Sequence, residues 1–148
     1  MPNSILYPEQ FYGGWSLVDW RIEYSDGGVT RPFGEDAIGQ ILYAEDGHMS
    51  ATVSRGDRQP IKQGNVRNAS DGDKAHHFDS YFHYAGTWSI SGKTVLHNVK
   101  LSMNPNMVGT QQIRKAEFKG PNKLSLSAYE FLKNGEQRHH ILEWQRAT

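Results

Sequence analysis

The sequence predicts an all-β protein: a closed or nearly closed antiparallel barrel of eight strands running up and down, with one long loop or short helix and an interior sized for a small ligand. Three observations carry this expectation. Segments with apolar residues at every second position recur along the chain. The connections between them in the second half are short and rich in Gly, Asn and Pro, which is hairpin chemistry. Fifteen glycines and seventeen aromatic residues in a chain of 148 leave few helical patterns. A meander of hairpins has two exposed edges, and closing it removes both. About eight strands then leave space for side chains and one small molecule.

The elements follow in chain order. Residues 13–24 carry apolar groups on both faces, Trp15 and Leu17 on one, Val18, Trp20, Ile22 and Tyr24 on the other. A bulge partway along would let one strand serve both. Ser25-Asp26-Gly27-Gly28 reads as a turn. Residues 39–43 and 48–54 form a hairpin around Glu45-Asp46-Gly47. Residues 55–73 are polar and read as a long loop, with helical turns expected over 74–81. Tyr84, Trp88 and Ile90 are in phase over 82–91, and Val95, His97, Val99 and Leu101 alternate on the next strand. Asn104-Pro105-Asn106 breaks that strand. Strands over 110–119, around Leu124, Leu126 and Ala128, and over 137–146 complete the set, joined at Gly120-Pro121-Asn122 and Lys133-Asn134-Gly135.

The size suits a single domain spanning 1–148, large enough to fold without cross-links. There is no cysteine, so disulfides, thiolate metal sites and a Cys nucleophile are excluded. Sixteen basic and sixteen acidic residues cancel, and the electrostatic footprint of a nucleic-acid binder is missing. Met1 to Pro8 carries no basic segment followed by an apolar run, and no stretch is long and apolar enough for a membrane-spanning helix. A cytoplasmic protein that binds neither nucleic acid nor membrane is the expectation. Glycine-rich phosphate loops, HExxH and GxSxG are absent, and no cofactor is expected.

Gly13-Gly14-Trp15 resembles the Gly-x-Trp motif of lipocalins and related calycin barrels. The resemblance implies that Trp15 closes the barrel base and that Arg146, just after Trp144, packs over it. The chain is also similar to small bacterial and fungal lipocalin-like domain proteins. The shared stretches are Pro32-Phe33-Gly34-Glu35-Asp36-Ala37-Ile38-Gly39 with Tyr43, and Asp46-Gly47-His48-Met49-Ser50. The longest is His97-Asn98-Val99 with Ser102, Asn104-Pro105-Asn106, Val108-Gly109-Thr110, Gln112 and Arg114. Met107 stands where the family pattern has an aromatic residue. The similarity spans most of the chain and implies a barrel that either carries a ligand or works on one without a cofactor.

Candidate catalytic residues are His97 and Arg114. His97 shares a face with Val95, Val99 and Leu101, so an inward-facing imidazole could move a proton; the alternative is a core histidine satisfied by hydrogen bonds. Arg114 is in phase with Gln112, Ala116 and Phe118. An interior guanidinium needs an anion or several acceptors, which a ligand oxyanion, Glu130 or Glu143 could supply. Tyr84, Trp88, Gln112, Tyr43, Phe118, His140 and Trp144 are candidate ligand-lining residues, since core and lining are partly one surface in a barrel. Asp19 and Arg21 fit either an interior polar pair or a surface pair. His139 and His140 point to opposite faces and cannot chelate together, and with no dense carboxylate cluster around His76, His77 and His83 no metal site is expected.

Two functions fit these residues. One is a cofactor-independent isomerase, cyclase or lyase acting on a small hydrophobic or aromatic molecule, a reading the family's metabolic context favours. The other is a carrier or sensor of such a molecule. A solid, packed barrel working through its surface, for instance as a homodimer, is a third.

Overall fold

The computed structural model describes residues 5–62 and 64–147. The strands are β1 (Gly13–Tyr24), β2 (Val29–Thr30), β3 (Ile38–Tyr43), β4 (His48–Ser54), β5 (Tyr81–Ser91), β6 (Thr94–Ser102), β7 (Gln111–Phe118), β8 (Lys123–Phe131) and β9 (Gln137–Arg146). All pairings are antiparallel, β3 to β9 pair in sequence order, and β1 pairs with both β3 and β9. Eight strands therefore close into an up-and-down barrel; β2 is a short flap on the far end of β1.

The two apolar faces of β1 are reconciled by a bulge between Leu17 and Asp19. Leu17 pairs with Trp144 and Asp19 with Glu143, so one extra residue is inserted and the inward phase switches from Trp15 and Leu17 to Trp20 and Ile22. Asp19 and Arg21 consequently lie outside, where Arg21 bridges Asp19, Glu23 and Glu143, and Arg31 also reaches Asp19. The helical segment differs from expectation. Helix α1 runs Asp71–Asp79, because Ser70 caps it by accepting from the Asp73 N–H and Asp71 and Asp73 favour its first turn. A 3₁₀ turn at Val66–Asn68 breaks the preceding loop, and Tyr81 opens β5 instead of ending the helix.

Chain direction sets the two ends of the barrel apart. At the base, the 3₁₀ turn Pro8–Gln10 brings Phe11 into the opening. Phe11 is fully buried against the rings of Tyr43, Trp88 and Phe118. The Trp15 indole donates to the Phe11 carbonyl at 2.9 Å. The Arg146 guanidinium lies 4.3 Å over the Trp15 ring and donates to the carbonyls of Tyr12, Gln10 and Pro121. At the other end, the mouth, lie the turn after β1, the described residues of 55–80, the β6–β7 connection and the β8–β9 hairpin. Among the described residues no helix is long and apolar enough to cross a membrane.

Gly86 sits where β5 meets a second irregularity, between the pairings Ala85–Leu101 and Gly86–Val99. A Cβ there would lie 1.8 Å from the Asn98 carbonyl oxygen, so only glycine permits this approach of β5 and β6. Gly86→Ala is expected to destabilise the protein by about 2 kcal/mol or more, through forced backbone displacement. Urea unfolding of the variant beside wild type measures this, and an unchanged midpoint would refute it.

Candidate functional site

Above the aromatic base the barrel holds a cavity of about 530 Å³, within the range of small-molecule sites. Its wall is mostly apolar, including Trp20, Ile41, Val53, Phe82, Leu126 and Leu142. These come from the inward phases of β1, β3, β4, β5, β8 and β9. The polar groups on the wall are Tyr84, His97, Gln112, Arg114, Tyr129, Glu130 and His140, with the Trp144 indole beside them.

His97 is the most buried polar side chain of the site, at 1% exposure. Alternation on β6 turns it inward with Val95 and Val99. Its Nε2 lies 2.6 Å from the Tyr43 hydroxyl and its Nδ1 lies 2.6 Å from the Tyr84 hydroxyl. Burial, with the nearby Arg114 charge adding to it, pushes the His97 pKa down to about 3. Burial also raises both tyrosines, well above the ordinary phenol range for Tyr43, while Arg114 pulls in the opposite direction. At neutral pH the cluster is thus an uncharged imidazole between two protonated phenols.

Arg114 and Gln112 project inward from β7 as their phase predicts. Arg114 donates to Gln112 Oε1 at 3.2 Å and to the Ile113 carbonyl at 3.1 Å. Neither carboxylate suggested by the sequence pairs with it. Glu143 faces outward to Arg21, and Glu130 is engaged by His140 at 3.0 Å and Arg138 at 4.0 Å. No ion pair among the described residues includes Arg114. At the mouth, the Trp20 indole N–H points at His140 Nδ1, 3.4 Å away, with the two rings stacked. His140 Nε2 therefore carries the proton it donates to Glu130. The Trp144 indole N–H is buried with no acceptor among the described residues.

The structure brings His97, Arg114, Tyr84, Gln112, His140 and Trp144 to one cavity. Tyr43, Trp88 and Phe118 lie lower, in the packed base. Tyr43 reaches the site only through His97, the Trp88 indole donates to the Ala44 carbonyl, and Phe118 is wedged against Phe11 and Trp15. Large aromatics near the end of a strand fill the barrel's closed end, and periodicity alone does not tell height along the axis. Trp20, Phe82 and Met107 complete the wall. Met107 comes from the turn after β6, and Trp20 was concealed by the bulge that changes its face. No described residue of 55–80 lines the cavity; that segment packs beside β5, with Arg58 on Ser80 and over the Tyr81 ring. No cluster of three potential metal ligands occurs among the described residues. His139 is outside, stacked on Tyr129 at 4.1 Å.

A closed eight-stranded meander, locked at its base by a Gly-x-Trp tryptophan under an arginine and hollow above, defines a calycin-type barrel. The chain matches the lipocalin-like domain family over residues 12–147 and belongs to it. No curated protein matches the chain. Among solved structures it is similar to a de novo designed fluorescence-activating β-barrel, at 14% identity, TM-score 0.43, over 99% of this chain and 100% of that one. It is also similar to a redesigned β-barrel solved bound to DFHBI, at 10% identity, TM-score 0.40, over 94% of this chain and 97% of that one.

The depressed His97 pKa has a thermodynamic consequence. Unfolding returns the imidazole from about 3 to its ordinary 6.5, so between those values the unfolded chain binds the extra proton. Stability is then lost as pH falls below about 6.5, and fully retained above it. Between pH 7 and pH 5 the His97 contribution amounts to about 2 kcal/mol. His97→Asn should flatten the pH dependence of urea unfolding by that amount; identical profiles for the two proteins would refute the assignment.

Proposed function

We propose that the protein binds a small, mostly hydrophobic molecule headed by an anionic or strongly polarised oxygen, and acts on it without a cofactor as an isomerase, cyclase or lyase. The observation that carries this reading is Arg114. Its guanidinium is half-buried on an apolar cavity wall and among the described residues has only neutral acceptors, Gln112 Oε1 and the Ile113 carbonyl. A charge so placed gains most from a partner that brings its own negative oxygen. The reaction half follows from the neighbours of Arg114. Arg114 and Tyr84 are suited to hold charge developing on a ligand oxygen. His140 is held by Glu130 at 3.0 Å and faces the Trp20 indole N–H at 3.4 Å, so its Nδ1 acts as the proton acceptor once a ligand displaces that indole contact. His97 serves by holding Tyr84, since both its nitrogens are already bonded.

A carrier or sensor is the second reading, favoured by that same locked imidazole. A histidine with a pKa near 3 does not shuttle protons at neutral pH. Recovery of a bound ligand chemically changed, or unchanged, decides between the two.

Two fluorophores on one scaffold test the binding half: 8-anilinonaphthalene-1-sulfonate, and N-phenyl-1-naphthylamine, which lacks the sulfonate. Arg114→Gln is expected to weaken the sulfonate probe about ten-fold or more, the worth of a charged hydrogen bond, and to leave the neutral probe within about two-fold. Equal loss for both probes, or none for either, would sink the anion reading.

A further inference from the structure

The two short contacts of His97 leave three hydroxyl and imidazole protons to be distributed, and burial decides how. Tyr43 is 1% exposed within the aromatic base, and its hydroxyl has one partner among the described residues, His97 Nε2. If Nε2 carried the imidazole proton, Tyr43 would accept it, and its own O–H would be shut in the base without an acceptor. A doubly protonated His97 would do the same and add a second positive charge beside Arg114. Either arrangement leaves a buried donor unmade, at the full cost of its desolvation. One arrangement avoids this. Tyr43 donates its O–H to Nε2, and Nδ1–H donates to the Tyr84 oxygen. The hydrogen of the Tyr84 hydroxyl is then committed to neither partner. Unlike Tyr43, Tyr84 stands on the cavity wall.

We infer that Tyr43 locks His97 in the Nδ1–H tautomer, so that Tyr84 presents its O–H to the cavity as a donor for an oxygen acceptor of the ligand. The ligand chemistry rests on the reading proposed above; the hydrogen-bond direction does not. Other wall groups agree with it. Arg114 can only donate. The carboxylate on the wall, Glu130, is already taken by His140 and Arg138. The site is therefore rich in donors and selects a carbonyl, carboxylate, sulfonate or phenolate over a hydroxyl or ammonium head. Tyr84 is the specificity-determining contact, and Tyr43 is a positioning residue that acts through His97.

The test begins with the unmodified protein. Long-range nitrogen–proton correlation spectra at pH 7 should show His97 with a protonated Nδ1 and a bare Nε2. The opposite tautomer, or protons on both nitrogens, overturns the inference without any variant having to fold. Tyr84→Phe, verified as folded by its near-ultraviolet circular dichroism, should lose about ten-fold in affinity for 8-anilinonaphthalene-1-sulfonate and hold N-phenyl-1-naphthylamine within about two-fold. Wild-type affinity for the sulfonate in this variant overturns the donor role of Tyr84. In Tyr43→Phe the pure Nδ1–H signature should be lost and sulfonate affinity should fall with it, although Tyr43 lies below the cavity; an unchanged spectrum overturns the positioning role. Uptake of neither fluorophore by wild-type protein with the Nδ1–H tautomer overturns the binding reading instead, and leaves the proton arrangement standing.

Discussion

The interior of this protein exists because β1 pairs with β9. Along that seam Trp15 faces Arg146 in register, and the guanidinium lies 4.3 Å over the indole while bonding three backbone carbonyls. A part-buried cation–π contact of this kind contributes about 0.5–2 kcal/mol, and the hydrogen bonds tie the first and last segments of the chain into one plug. Without the seam the meander would be an open sheet with two long edges and no inside. With it, every second residue of eight strands converges on one axis.

Convergence divides the barrel by height. Near the plug, the rings of Phe11, Tyr43, Trp88 and Phe118 fill the cross-section edge to face. Higher up, the inward positions pass to Ala51, Val53, Leu126 and Ala128, which are too small to meet across the axis, and a cavity remains. His97 marks the boundary. One of its nitrogens bonds a phenol of the packed region and the other a phenol of the cavity wall. Each bond adds only about 1 kcal/mol net, whereas breaking either would strand a buried polar atom at a cost of about 1–3 kcal/mol. The triad thus connects the rigid base to the orientation of one hydroxyl in the site.

Much of the site was legible because the side-chain period of a strand is two. Gln112, Arg114, Ala116 and Phe118 share a face in any straight strand, as do His140, Leu142 and Trp144. The inward placement of these two sets required no knowledge of the fold beyond which face was apolar. Trp20 was less accessible, since its direction depends on the bulge at Leu17–Asp19. Met107 reaches the cavity from a turn, where no period applies. The carboxylates could not be assigned either. Glu130 and Glu143 are both plausible partners for Arg114 along the chain, and only strand register sends the first to His140 and the second to Arg21.

The sequence by itself determined the barrel, its hairpin connections and the alternation that groups His97, Arg114 and His140 with apolar neighbours, while the base lock of Trp15 and Arg146 was implied by the family resemblance. These are local properties: alternation, turn residues and a short motif express themselves wherever the strand lies. Tertiary structure decided height along the axis and hydrogen-bond partnership. It placed Trp88 and Phe118 in the plug and Tyr84 on the wall, left Arg114 without a carboxylate among the described residues, and set His97 between two tyrosines that lie 54 and 13 residues away in the chain. Contacts of that kind follow from which strands neighbour one another and in what register, information spread over the whole closed sheet and carried by no single segment.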